Sequence, residues 1–133
     1  RPFMERNHRG VITTYRATGG MHNSLVSSGA YNGNAAFVIV YPKAIKTSNL
    51  KRDPRCTVTT VDTEWRRHTV VEGQAQLFHG GNTDAEELRI LLRKVYRVCG
   101  DKNHPDWGEF DRAMVEQEAV VVLVKPERVY GWV

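Results

Sequence analysis

A chain of 133 residues that is 41% hydrophobic and 26% charged is the size of one domain and too apolar for intrinsic disorder. Its longest apolar run, Ala119 to Val124, has the length of a strand and falls far short of the roughly 20 residues of a membrane helix, which excludes a helical span. The formal charge of +4 is unevenly placed: residues 1–70 hold eleven basic and four acidic side chains (+7), and residues 71–133 hold eight and eleven (−3). Such asymmetry points to one surface that meets an anion. Cys56 and Cys99 are far apart and show neither Cys-x-x-Cys nor Cys/His spacing. They read as two buried thiols of a cytoplasmic protein, not as a disulfide framework. The sequence starts at Arg1 and not at a methionine, which leaves a preceding signal segment open.

In chain order, Gly10 to Arg16 is β-branched and aromatic, ends at Thr18-Gly19-Gly20, and is followed by the alternating segment Met21 to Ser28, which predicts a first hairpin. Asn32-Gly33 is a strong two-residue turn signal, and the continuous apolar run Ala35 to Tyr41 behind it predicts a buried strand. Pro42 is placed to open a two-turn helix that Pro54 closes. Cys56 to Asp62 and His68 to Phe78 alternate as strands around a polar loop, Thr63 to Arg67. Thr83 with Glu86 has the spacing of a capping box. Leu88, Leu91, Leu92, Val95, Tyr96 and Cys99 then repeat at helical spacing up to Gly100. Asp106 to Gln117 predicts a shorter helix with Phe110 and Met114 inward, and Ala119 to Lys125 and Arg128 to Val133 return to strand. Strands dominate and there is no regular βαβ alternation. The expectation is therefore one α+β domain over residues 1–133, mainly β, built on a closed or half-closed antiparallel barrel of six to seven strands with helices packed outside.

The sequence holds no Gly-x-Ser-x-Gly elbow, His-Glu-x-x-His, Walker loop or dinucleotide-binding glycine motif, and its five histidines lack metal-ligand spacing. What remains is Val40 to Arg55. A strand end that feeds a helix N-terminus presents free backbone N–H groups, and Lys43, Lys46, Thr47 and Ser48 add charge and hydroxyl donors within reach of one anion. The segment is built like a phosphate cradle; taken alone it also reads as a solvated basic helix face.

Three stretches carry a resemblance: Asn49-Leu50-Lys51-Arg52-Asp53-Pro54-Arg55, the strand Val71 to Leu77, and the ending Pro126 to Trp132. Together, in this order, they resemble the split β-barrel flavoproteins related to pyridoxamine 5'-phosphate oxidase, and within them the branch of small flavin- and deazaflavin-dependent oxidoreductases. The resemblance runs from Phe3 to Trp132 and includes the acidic-aromatic helix start His104 to Phe110. It implies a homodimer with two cofactor clefts at the subunit interface, a cofactor phosphate on Lys46 with Lys43, Thr47 and Ser48, and a flavin-type ring along Ser24, Leu25, Val26 and Ser27. The partner subunit would bring the loop bearing Trp65, Arg66, Arg67 and His68. One departure is Ala44, where such proteins often carry an arginine; Lys43 lacks the bidentate fork that arginine offers. Ser24 and Ser27 equally suit the two faces of an edge strand, and Trp65 an ordinary interface aromatic.

The activity this implies is hydride transfer from reduced coenzyme F-420, a deazaflavin, to a small organic acceptor such as an enone, quinone or tetrapyrrole. The basic first half, with Lys51, Arg52 and Arg55, would receive the coenzyme's glutamate tail. An FMN-dependent oxidase or flavin reductase of the same fold is the alternative, and a non-catalytic flavin- or haem-binding protein is an alternative of another class. No nucleic-acid partner is expected, because the aromatics are not interleaved with the basic cluster as a stacking ladder, and no membrane partner, because no apolar run is long enough to span one.

Overall fold

A computed structural model describes residues 2–41 and 43–133; the expected helix start at Pro42 lies outside the described residues. The chain runs α1 (Phe3–Arg6), β1 (Arg9–Tyr15), β2 (Met21–Ser27), β3 (Gly29–Tyr31), β4 (Asn34–Ile39), α2 (Ile45–Arg52), β5 (Arg55–Val61), β6 (His68–Phe78), α3 (Ala85–Gly100), α4 (Trp107–Glu116) and β7 (Val120–Trp132). The strands form one antiparallel sheet in the order β2-β1-β5-β6-β7-β4-β3. Its two outermost strands, β2 and β3, are consecutive in the chain and separated only by Ser28, so the sheet has to curl until its edges approach. Ser28 is fully buried at that corner, with its hydroxyl 2.9 Å from Thr60 Oγ1. Beneath it β1 carries Gly10, where a Cβ would stand 2.7 Å from Ser28 Oγ.

The curled sheet encloses a core of Ile12, Phe37, Ile39, Val58, Val71, Val122 and Val124. Phe3 and Met4 of α1 and Leu50 of α2 join that interior cluster. A second core lies on the outer face of β4 and β7. There Ala36, Val121 and Leu123 meet Leu92, Val95 and Cys99 of α3 and Phe110 of α4. β4 and the first half of β7 are thus buried on both faces, which is why both read as continuous apolar runs. Each fully buried valine or leucine contributes about 1.5–3 kcal/mol.

The expected α+β architecture, an antiparallel barrel with peripheral helices, is the one observed. Several details differ. The short β3 and the one-turn α1 were not expected. The last two expected strands are one, because β7 passes through Pro126: Gly73 pairs with Pro126 and Glu72 with Arg128, which leaves Glu127 as a bulge. β4 pairs with β7 only as far as Val124, so Pro126 has a single strand neighbour and its missing N–H is tolerated. The cap of α3 is Asp84, whose carboxylate accepts from the N–H groups of Glu86 and Glu87, and not Thr83. At its other end Gly100 remains helical and Asp101 takes the left-handed conformation, with φ 55°. α2 is tied to β1 and β2, and its Leu50 belongs to the interior core. Among the described residues no helix is long and apolar enough to cross a membrane.

Candidate functional site

The eight residues of α2 are sewn to the first hairpin by side chains at positions i, i+3 and i+6. Lys46 Nζ donates to Ser24 Oγ at 3.0 Å. Asn49 Nδ2 donates to Thr14 Oγ1 at 3.1 Å, and the Arg52 guanidinium donates to the Tyr15 carbonyl at 2.5 Å and to Asn49 Oδ1 at 3.0 Å. The spacing that places these groups on one helical face was present in the sequence, but the sequence did not show that the facing surface is the inner side of β1 and β2.

Lys46 is the chemical centre of this arrangement. It is half-buried, and among the described residues its hydrogen-bond partner is a neutral hydroxyl and it has no carboxylate partner. Burial lowers its pKa from the usual lysine value, since the charged form loses hydration with no counter-charge to offset the loss. The N-cap of α2 is Ala44, which has no side-chain acceptor, so among the described residues no side chain caps the first turn of the helix. A partly desolvated ammonium beside an uncapped helix start is an environment that gains by meeting an anion.

β2 alternates, with Ser24 and Val26 half-buried and Leu25 and Ser27 exposed on the other side. Ser24 therefore stands with Lys46, whereas Leu25, 83% exposed, faces outward. His22 shares the inner face of β2 two residues from Ser24, and its Nδ1 is buried without a hydrogen-bond partner. Sequence reasoning passed over His22; the alternation His22-x-Ser24-x-Val26 was the signal that could have found it.

The other expected site residues are distributed more widely. Lys43 and Ser48 are exposed near the start of α2. Thr47 is buried and lines a different cavity, toward α3 and α4, so the structure does not bring it to Lys46's side of the helix. Lys51 lines that same cavity. Arg55 is held by Asp53 at 2.7 Å and lies over the Tyr15 ring. With Arg52 bound to Tyr15 and Asn49, two of the three cations expected to receive a glutamate tail are already engaged.

Trp65 sits at φ +60° in the turn between β5 and β6, where Asp62 Oδ1 accepts from Arg66 N at 2.9 Å; its ring is 79% exposed. Arg66 and Arg67 line a cleft of about 390 Å³ with Arg6 and Trp132, and the Arg67 guanidinium is 5.9 Å from the Trp132 ring centre. His68 pairs with Val61 on one side and Trp132 on the other. This loop joins β5 and β6, which stand two and three strands from β2, about 10–14 Å across the sheet at ordinary strand spacing. Within one chain it does not meet Lys46 and Ser24.

No family model matches the chain. Solved structures do match it. A conserved hypothetical protein from Mycobacterium tuberculosis superposes with a TM-score of 0.77 at 20% identity, over 98% of this chain and 79% of that one. An F-420 reductase gives a TM-score of 0.66 at 19% identity, over 96% and 92%. A Listeria innocua protein put forward as a pyridoxamine 5'-phosphate oxidase gives 0.66 at 15%, over 96% and 90%. The chain has the split-barrel fold. In this split barrel the Lys46–Ser24 contact lies at the open edge formed by β2, and the outer face of β2, β1, β5, β6 and the end of β7 forms a continuous surface. One cross-strand row of that surface reads Leu25, Val11, Thr59, Val70 and Tyr130.

Proposed function

We propose that this split barrel is an oxidoreductase that binds the deazaflavin coenzyme F-420 between two copies of the chain and passes hydride to a small organic acceptor. The observation that carries the reading is Lys46: a half-buried cation, paired among the described residues with the Ser24 hydroxyl and with no carboxylate, beside a helix start that no described side chain caps. These groups fit a phosphate. The buried, unpartnered Nδ1 of His22 on the same face fits a ligand with a further hydrogen-bonding group. Support at the level of a redox cofactor comes from the neighbours, one of them an F-420 reductase and another put forward as a pyridoxamine 5'-phosphate oxidase.

On this reading Lys46, with Lys43, holds the phosphate at the start of α2, and Ser24 orients the ammonium. Thr47 takes no part, and Ser48 contributes at most from the rim. The inner-face residues Ser24 and Val26 border the ring, and the exposed Leu25 and Ser27 face the second copy. That copy supplies the loop with Trp65, Arg67 and His68, which one chain cannot bring to its own Lys46. When bound, the deazaflavin supplies the hydride; the residues of this chain fix its position and exclude water, which is most of what such a transfer needs from a protein.

The test is to follow the absorption of reduced F-420 with the protein and an enone or quinone acceptor. Oxidation that depends on both protein and acceptor is the expected result, with at least a tenfold loss in Lys46→Ala, about the effect of one charge-assisted hydrogen bond. Cofactor binding without turnover on any acceptor would make the protein a binder and not an enzyme. Turnover with FMN alone would transfer the same site to the flavin.

A further inference from the structure

We propose that His22 is a further ligand of the phosphate beside Lys46, donating from Nε2 to a phosphate oxygen and so fixing where along β2 that group sits. This rests on the cofactor reading above and adds to it a residue that binds and positions. His22 stands two residues from Ser24 on the same face of β2, about 6.8 Å along the strand at ordinary rise, and Ser24 Oγ is 3.0 Å from the Lys46 ammonium. The residue is half-buried. Its Nδ1 is sealed from solvent and has no hydrogen-bond partner, whereas its Nε2 is not among the sealed atoms and has no partner among the described residues. The sealed nitrogen decides where the proton sits.

Across the ladder from His22 is Thr14 of β1, fully buried, whose hydroxyl accepts from Asn49 Nδ2 at 3.1 Å. The charged groups that α2 brings to this hairpin are the cations Lys46 and Arg52, and Arg52 is already bound to the Tyr15 carbonyl and to Asn49. A proton on Nδ1 would be a buried donor with no acceptor, an arrangement folded proteins rarely keep, while a bare ring nitrogen leaves only an unused lone pair. The neutral ring therefore carries its proton on Nε2, and it turns a donor, not an acceptor, to the open side. A donor without an acceptor, next to an ammonium without a counter-charge, is matched by an anion with several oxygens. One phosphate group takes the Nε2–H and the Lys46 ammonium together.

The experiment combines nitrogen NMR of the full chain, labelled in histidine, with titrations of F-420 and of FMN. At pH 8 without cofactor the His22 nitrogens are expected to show the Nε2–H tautomer, and either cofactor should move the Nε2 resonance and leave Nδ1 nearly still. Glutamine can place an amide NH2 near the position of Nε2, and asparagine only near that of Nδ1. His22→Gln should therefore bind both cofactors within about threefold of the parent and His22→Asn at least about tenfold more weakly, the loss of one hydrogen bond to a charged group, with equal thermal midpoints for the two variants without cofactor. The proposal is overturned if the Nδ1–H tautomer is found, if His22→Asn binds as the parent does, or if His22→Gln loses as much as His22→Asn. Lys46→Ala separates the two levels. A loss of binding in Lys46→Ala with none in His22→Asn sinks the role of His22 alone, whereas intact binding in Lys46→Ala, or no binding of either cofactor to the parent, overturns the cofactor reading and the role of His22 with it.

Discussion

At the scale of single residues, the balance between burial and partnership decides what each group can do. Lys46 has its pKa lowered by desolvation, so just below the usual lysine value of 10.5 the folded chain binds fewer protons than the unfolded one. Stability therefore rises with pH in that window, and at neutral pH the Lys46 charge works against the fold. Lys46→Met is expected to keep or raise the thermal midpoint of the cofactor-free protein, while the increase in midpoint on adding F-420 disappears; calorimetric scans with and without the coenzyme check both. In the two cysteines burial is the leading cause of a raised pKa, joined at Cys56 by the Asp53 carboxylate. Cys56 faces the barrel interior and Cys99 donates to the Ala36 carbonyl, and burial pushes both thiols up to about 12. Neither should react with an aromatic disulfide reagent at pH 8 in the native protein, and both should react once it is denatured. Their burial was legible from composition and spacing. The place of Lys46 against Ser24 was not, since a contact 22 residues apart depends on how the sheet curls.

Among elements, those that bury an apolar periodicity were legible, and those fixed by a crossing of the chain were not. The stripe Leu88, Leu92, Val95, Cys99 announced α3, and the apolar runs announced β4 and β7, because each element's own burial sets its pattern. The division of β2 from β3 at Ser28 and the single long β7 through Pro126 depend on long-range pairing, which local signals do not carry. α4 is held to α3 in two ways. Phe110 is packed edge-on against Tyr96 and Trp107, and Phe110→Ala should cost about 3 kcal/mol, measured by denaturant unfolding. Asp111 is bound by Arg93, whose hydrogen bond holds the Asp111 carboxyl below its usual value of 3.8. The stability this pair contributes is present above that value and is lost as pH falls through the lowered one. Across about pH 5 to 3 the midpoint of the parent should therefore fall more steeply than that of Asp111→Asn.

For the whole molecule, the outer sheet face and the position of the β5–β6 turn belong to one argument. Leu25 and Tyr130 end a cross-strand row that the helices leave uncovered, and Trp65 and Trp132 stand exposed beside it. An uncovered face of this kind, together with a cofactor edge that one chain leaves open, leads us to propose a twofold dimer. Light scattering should give the mass of two chains for the parent and of one chain for Leu25→Glu, with cofactor affinity lost together with the dimer. Arg52 and Arg55 are engaged within the chain, so on the proposed reading the charge for a glutamate tail would come from Lys43, Lys51 and the Arg66 and Arg67 loop of a second copy. The central claim is that Lys46 holds the phosphate of a deazaflavin, and a direct titration with F-420 and with FMN over a range of salt tests it. The account predicts tighter binding of F-420 that falls more steeply with salt, and a tenfold to hundredfold loss in Lys46→Ala for both cofactors. Binding that Lys46→Ala leaves intact, or no binding of either cofactor to the parent, would contradict it.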